Sequence, residues 1–336
     1  MVNIDTVELP LTCEAVLFEA TNLARFRGAS ERAARLLMPC IAFRDFGTTA
    51  PPTLDCISLQ TVLTMFYLRI SAARHRLPVN ETLAIDSQSF SPAEAFARDS
   101  TTSCVVENIL LLPSLYLKQL QRGDTMNALA WNNLGLSLTA DVDLMEIASG
   151  RKGLEAAQVA MATVGKWAKS ASARRAILHA AQIFSVLSST RLRESNTARP
   201  DLLLFTSALV LSMYLFVVDK EDEDNDSHPF ELLQEVDWAA VGGAGVLQIP
   251  ESSVSQPDDQ SLQHPKNEAL DFIRHGGCVS FAGETLDGGT NIARKIMTNY
   301  VHLLDELGKW RGSRYSQLLR TMSDFAIEGT GGQSLL

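Results

Sequence analysis

An arginine pair, Arg174–Arg175, stands one helical turn before His179 and two turns before Gln182. A histidine beside a cation can serve as a base, and a planar guanidinium binds carboxylates through two parallel hydrogen bonds. The ordinary use of the same residues is a packed helical histidine, with arginines tying their helix to Asp or Glu of neighbouring helices. A second group is the run Asp219–Asp226, with six carboxylates against one lysine, directly after the apolar stretch Tyr214–Val218. Clustered carboxylates can hold magnesium on a diphosphate, because hard cations prefer oxygen, and Arg314–Tyr315 would suit a distal diphosphate contact. That chemistry needs a second box of the form N/D-D-x-x-S/T-x-x-x-E, and none follows. The run therefore reads as a solvated loop. His275-Gly276-Gly277-Cys278 offers two metal ligands, but one pair is not a site, and it reads as the end of a helix with a glycine cap. Gly242-Gly243-Ala244-Gly245 lacks the third glycine of a dinucleotide loop and reads as a flexible turn. Neither G-x-x-x-x-G-K-S/T nor G-x-S-x-G occurs. These readings predict a chain with no catalytic residues, no metal and no cofactor.

The elements that must position these residues have the helical period. Trp167–Ser188 reads as one amphipathic helix, with Ala173, Ala176, Ile177, Ala180, Phe184 and Leu187 along one stripe. Ser170 or Ser172 is its candidate N-cap, and Arg174, Arg175, His179 and Gln182 lie outside the stripe. The small residues predict close packing against an apolar helix over Leu202–Val218, with Phe184 filling the gap below them. Further helices are read after Pro51–Pro52, from Ser91-Pro92-Ala93-Glu94 as a capping box, over Thr101–Arg122 with a kink at Pro113, and over Asn127–Gly150. Near the end, Ile292, Ile296, Tyr300, Leu303 and Leu307 form a stripe, and a last helix covers about Ser313–Ile327. No alternating strand run or fixed repeat is found. The fold class is all-α, a single large irregular helical domain with an acidic low-complexity insertion. Its parts are a lead-in (1–50), a helical core (51–218), the insertion (219–265), C-terminal helices packing on the core (266–328) and a disordered tail (329–336). Asp219–Trp238 and Glu251–Pro265 are expected to be mobile and dispensable to the fold.

At 336 residues, 46% hydrophobic and 20% charged, the chain can bury a large core. A net charge of −10 opposes direct binding to nucleic acid, which needs a basic surface. Cys13, Cys40, Cys56, Cys104 and Cys278 are odd in number and form no CxxC pair, which fits a reducing compartment. The first residues, MVNIDTVELPLTCEA, lack the basic start and apolar run of a secretory signal. Leu202–Val218 is at the short limit for crossing a membrane, has acidic flanks, and reads as a core helix.

One set of motifs goes further. The turn Ala148-Ser149-Gly150-Arg151-Lys152-Gly153 is followed about fifteen residues later by a helix of pattern W-A-x-S/T-x-x-A-R-R-A-x-L-H-A-A-Q-I-F. Trp131-Asn132-Asn133-Leu134, Leu138-Thr139-Ala140-Asp141 and the apolar Leu204–Leu211 accompany them in order. From about Trp131 to Val218 this resembles the fungal-specific transcription factor regulatory domain, in the form found downstream of two-cysteine, two-histidine zinc fingers in filamentous fungi. The resemblance implies an all-α regulatory domain acting in the nucleus by protein–protein contact. Its signature helix is marked by Trp167, Ala173, Arg174, Arg175, His179, Gln182 and Phe184. The chain departs from the family in lacking zinc-ligand spacings, so it is either a piece of a longer protein or reaches promoters through a DNA-binding partner chain. Its partners would be proteins of the transcription machinery; no membrane is expected, and a homodimer is compatible. Within the acidic insertion, Asp222, Asp224, Phe230, Leu233 and Trp238 have the composition of an activation segment. The alternatives are a non-catalytic helical scaffold and, third, a helical magnesium-dependent diphosphate enzyme.

Overall fold

The computed structural model describes residues 54–76, 91–99, 102–121, 124–189, 199–218, 228–246, 267–286, 288–306 and 312–331. Before residue 219 these form helices α1 (Cys56–Arg76), α2 (Pro92–Arg98), α3 (Ser103–Leu120), α4 (Thr125–Thr139), α5 (Val142–Ala148), α6 (Leu154–Ala168), α7 (Ala171–Ser189) and α8 (Pro200–Val217). After it come β1 (Phe230–Glu231), α9 (Trp238–Val241), α10 (Glu268–His275), β2 (Val279–Phe281), β3 (Glu284–Leu286), α11 (Thr290–Glu306) and α12 (Gly312–Gly331). The fold is all-α with one small sheet, in which β1 pairs parallel with β2 and β2 antiparallel with β3. The sheet is absent from the sequence reading because strands of two or three residues are too short to show alternation.

Helix α7 is the centre, packed between α4 and α8, while α8 also packs on α11. Two-thirds of α8 is buried, which places this apolar helix in the core, and the stripe alanines Ala173, Ala176 and Ala180 are fully buried. The signature helix is two helices, however. Trp167 and Ala168 end α6, and the chain turns at Lys169–Ser170. The Ser170 hydroxyl accepts from the Ala173 N–H at 3.1 Å, so it caps a new helix instead of continuing the old one. Gly150 and Gly153, both with φ above 90°, make the turn that swings the chain from α5 into α6. Helix α3 leaves helical geometry at Tyr116, one turn after Pro113. Ser91 starts α2, but its hydroxyl donates to the Leu138 carbonyl at 3.2 Å and makes no capping box.

The insertion drawn at 219–265 is corrected in its middle. Residues 219–227 and 247–266, with Asp222 and Asp224, lie outside the described residues, as do 1–53 and 332–336. Residues 228–246 belong to the core: Leu232, Val236, Trp238 and Val241 are buried, Leu233 packs against the same cluster, and Phe230 stacks on Phe272 at 5.2 Å. Apolar side chains at this density outweigh the acidic and glycine-rich flanks that suggested a solvated segment. Replacing Trp238 with Ala should therefore lower stability by about 3–5 kcal/mol, the range for a buried aromatic. A denaturant melt reads it directly; an unchanged midpoint would return Trp238 to the surface.

Candidate functional site

Arg175, His179 and Gln182 follow at i, i+4 and i+7, a second stripe beside the apolar one, and all three are buried. The Arg175 Nη1 donates to the carbonyls of Gly242 and Ala244, each at 2.7 Å. Gln182 Nε2 donates to the carbonyls of Leu232 at 3.1 Å and Gln234 at 2.6 Å. These four acceptors belong to a stretch with little regular structure, whose carbonyls turned toward α7 need donors from elsewhere. The stripe supplies them and clasps 232–244 to α7.

His179 sits between the two donors. Asn132 uses its Nδ2 on the Ala128 carbonyl at 2.8 Å, so its Oδ1 is the acceptor that faces His179 Nδ1 at 2.9 Å. That places the imidazole proton on Nδ1 and leaves Nε2 to accept from Arg175 Nε at 3.4 Å. The tautomer is thus assigned by its partners. A proton on Nε2 would face a guanidinium N–H. Burial first, and then the Arg175 charge, hold the histidine well below its ordinary 6.5. Burial also pushes the Arg175 guanidinium down to about 9, so it remains charged at neutral pH.

Aromatic rings close the clasp. The Trp238 ring stacks on His179 with centroids 3.9 Å apart and planes 7° apart, and Arg175 Cζ lies 5.3 Å from the same ring. Trp131 meets both rings edge-on at about 6 Å. Gly135 on α4 is required here, since a Cβ there would lie 2.3 Å from the His179 ring. At the other end Gly245, with φ +76°, brings the turn against α7, where a Cβ would stand 2.6 Å from the Ala171 carbonyl. The glycine turn is therefore a fixed docking piece and not a flexible link.

Arg174 points to the other side of α7 and does comparable work. Its Nε donates to Ile273 O at 2.8 Å and its Nη2 to Arg274 O at 3.0 Å, the open carbonyls at the C-terminal end of α10. Both arginines were expected to pair with carboxylates; both bind backbone carbonyls instead. Phe184 is also corrected. It is half-buried and meets Phe281 at 5.1 Å and Tyr300 at 4.7 Å, on β2 and α11, and does not fill a gap below the alanines. Trp167 bonds the Thr139 carbonyl at 2.9 Å from the end of α6.

Glu231 had no signal in the sequence beyond an acid inside an apolar run. Its carboxylate accepts from Leu233, Ala282 and Gly283 N–H and from the Ser280 hydroxyl, all at 2.9–3.1 Å, and so pins the β2–β3 turn to β1. Burial alone would raise its pKa, but these four hydrogen bonds bring it below the usual carboxylate value.

The remaining candidates separate. His275 ends α10, bonds Asp271 at 3.1 Å and is followed by Gly276 as the cap. Among the described residues no three metal-ligating side chains gather. Arg314 is exposed, and Tyr315 accepts from Arg199 at 2.9 Å. The concavity beside the clasp, lined by Asn132, Gln182, Val186, Glu235 and Trp238 among others, has room for about one water molecule. Fold and site together define an all-α domain clasped by a buried polar stripe. No protein-family model matches the chain, and neither a curated protein nor a solved structure matches it.

Two outcomes test the clasp. Arg175→Lys keeps the charge but not the fork, and should destabilise by about 1–3 kcal/mol through acceptors left unsatisfied; a neutral result in a denaturant melt would mean the carbonyls find other donors. His179 is neutral in both states above its ordinary 6.5. Below that pH the unfolded chain takes up a proton that the clasp refuses, so stability should fall with falling pH, by up to about 1.4 kcal/mol per unit. That slope should shrink in His179→Gln, and an identical slope in the variant would assign it to other groups.

Proposed function

We propose that this chain is the regulatory domain of a fungal transcription factor, acting in the nucleus through protein–protein contact and without chemistry of its own. What supports the reading is the use made of the family-like pattern. Arg174, Arg175, His179 and Gln182 are hydrogen-bonded to backbone and to one another within the domain. A helical domain of another descent has no reason to carry Arg-Arg-x-x-x-His-x-x-Gln, because many apolar solutions pack a helix equally well. The residues that resemble the family are thus the ones that would define its fold. The charge of −10 adds a physical constraint: phosphates would be repelled, so promoter contact would run through a DNA-binding partner chain.

The reading has two measurable consequences. The purified chain should show no sequence-dependent, sub-micromolar binding to duplex DNA at physiological salt in an anisotropy titration. Crosslinked to chromatin in its native cell, it should nevertheless occupy defined promoters, and fused to a neutral DNA-binding module it should change reporter output. A chain that binds DNA alone would overturn the first point. One that is absent from chromatin and silent in the reporter would instead be a helical scaffold.

A further inference from the structure

The two halves of the clasp differ in charge. In the Gln182 half a neutral amide holds the Leu232 and Gln234 carbonyls, and the sheet reinforces it. Phe230 N–H donates to Cys278 O at 2.8 Å and Leu232 N–H to Ser280 O at 2.9 Å. The Arg175 half is Val236–Val246, which contains α9 and the glycine turn. Here the amides of Val241, Gly242, Ala244 and Val246 bond carbonyls only three or four residues back in the same stretch. What docks this stretch on α7 is the Arg175 guanidinium, the Trp238 stack and the buried Val241 and Val246. His179 touches this half and carries the one titration that can disturb it.

We propose that a proton on His179 releases Val236–Val246 from α7, while β1 and Leu232–Gln234 stay docked. This device does not rest on the transcriptional reading. With Nδ1 donating to Asn132, a second ring proton must sit on Nε2, where it meets the Arg175 Nε–H at 3.4 Å. The elements around the ring offer it nothing. Helix α4 presents Trp131, Asn132 and Gly135, and α9 covers the ring with Trp238, none of which carries a charge. Among the described residues Arg175 is the one charge acting on the ring. Asp237 spends its carboxylate on the Ala239 and Ala240 N–H groups, each at 3.0 Å, and Glu235 is exposed. The Trp238 face attracts cations, but it already faces the Arg175 guanidinium and has no acceptor for another N–H. Two buried cations side by side are relieved when water reaches them, so the cover least able to hold itself gives way. That cover is the four-residue α9, which has little stability alone. The sign follows from the histidine. The open stretch leaves it near its ordinary 6.5, and the closed one holds it well below. Closure is therefore complete above 6.5 and weakens as pH falls, by up to about tenfold per unit.

Amide exchange of the full chain between about pH 7.5 and about pH 4.5, corrected for the intrinsic pH dependence of exchange, tests this. Protection at Val241, Gly242, Ala244 and Val246 should be level above about 6.5 and fall by up to about tenfold per unit below it. Protection at Phe230 and Leu232 should not follow. His179→Gln should abolish the fall. Asp237→Asn, which keeps the α9 cap without a titrating group, should retain it. If His179→Gln does not fold, the contrast between the two sets of amides in the unmodified chain decides alone. Parallel loss at Phe230 and Leu232 would make the opening global and overturn the proposal. So would level protection at every pH, a fall that survives His179→Gln, or one that disappears in Asp237→Asn.

Discussion

A buried guanidinium, with no carboxylate partner among the described residues, holds the turn at 242–244 and Trp238 to the first half of this domain. Arg175 is 1% exposed and is satisfied by two carbonyls, one imidazole nitrogen and a tryptophan face. A charge in that position is tolerable because its acceptors are fixed dipoles, each in need of a donor. The dependence runs both ways. Without the arginine, the 242–244 carbonyls are stranded; without the turn, the arginine is. A lysine offers one compact donor group where the fork reaches several fixed acceptors, so the site selects arginine specifically.

From this interaction the rest of the arrangement follows. Burial, and then the Arg175 charge, keep His179 neutral, and its tautomer is fixed from both sides, by Arg175 at Nε2 and by Asn132, itself anchored on the Ala128 carbonyl of α4, at Nδ1. A flat neutral ring then provides a surface on which Trp238 stacks, and Trp238 opens α9. Gly135 leaves the space for that ring. On the far side of α7, Arg174 closes α10, which leads into the β2–β3 turn held by Glu231. A short helix such as α9 or α10 has little stability of its own. These elements are ordered because one long helix presents donors on two of its sides.

The sequence shows the apolar half of this design plainly. The 3.6-residue spacing of Ala173, Ala176, Ala180 and Leu187 names the packed side of α7, and α8 shows itself by composition alone. The polar spacing of Arg175, His179 and Gln182 is equally visible, but what it binds is not. Backbone carbonyls carry no residue-type signature, so the sequence points such arginines to Asp and Glu instead. For the same reason, Phe230–Val246 looked like part of an acidic loop. Its few apolar residues lie between carboxylates and glycines, and what makes them core is the pair of donors waiting on α7. The break at Ser170 was hidden because a serine beside alanines fits a helix interior and an N-cap equally well until its hydroxyl is seen on Ala173.

A motif used in this way is spent on the fold, since its donors go to carbonyls and rings of the same chain. The exposed apolar side chains are elsewhere, on surfaces the clasp leaves free. Helix α6 turns Leu154 and Val159 outward, 55% and 69% exposed, and α1 and α3 turn out their leucines. Those positions are under no constraint from the seam and can change without disturbing it, whereas Gly135, Arg175 and Trp238 cannot change without moving each other. The division is physical: buried dipoles require particular partners, while an outward apolar side chain requires only something to cover it.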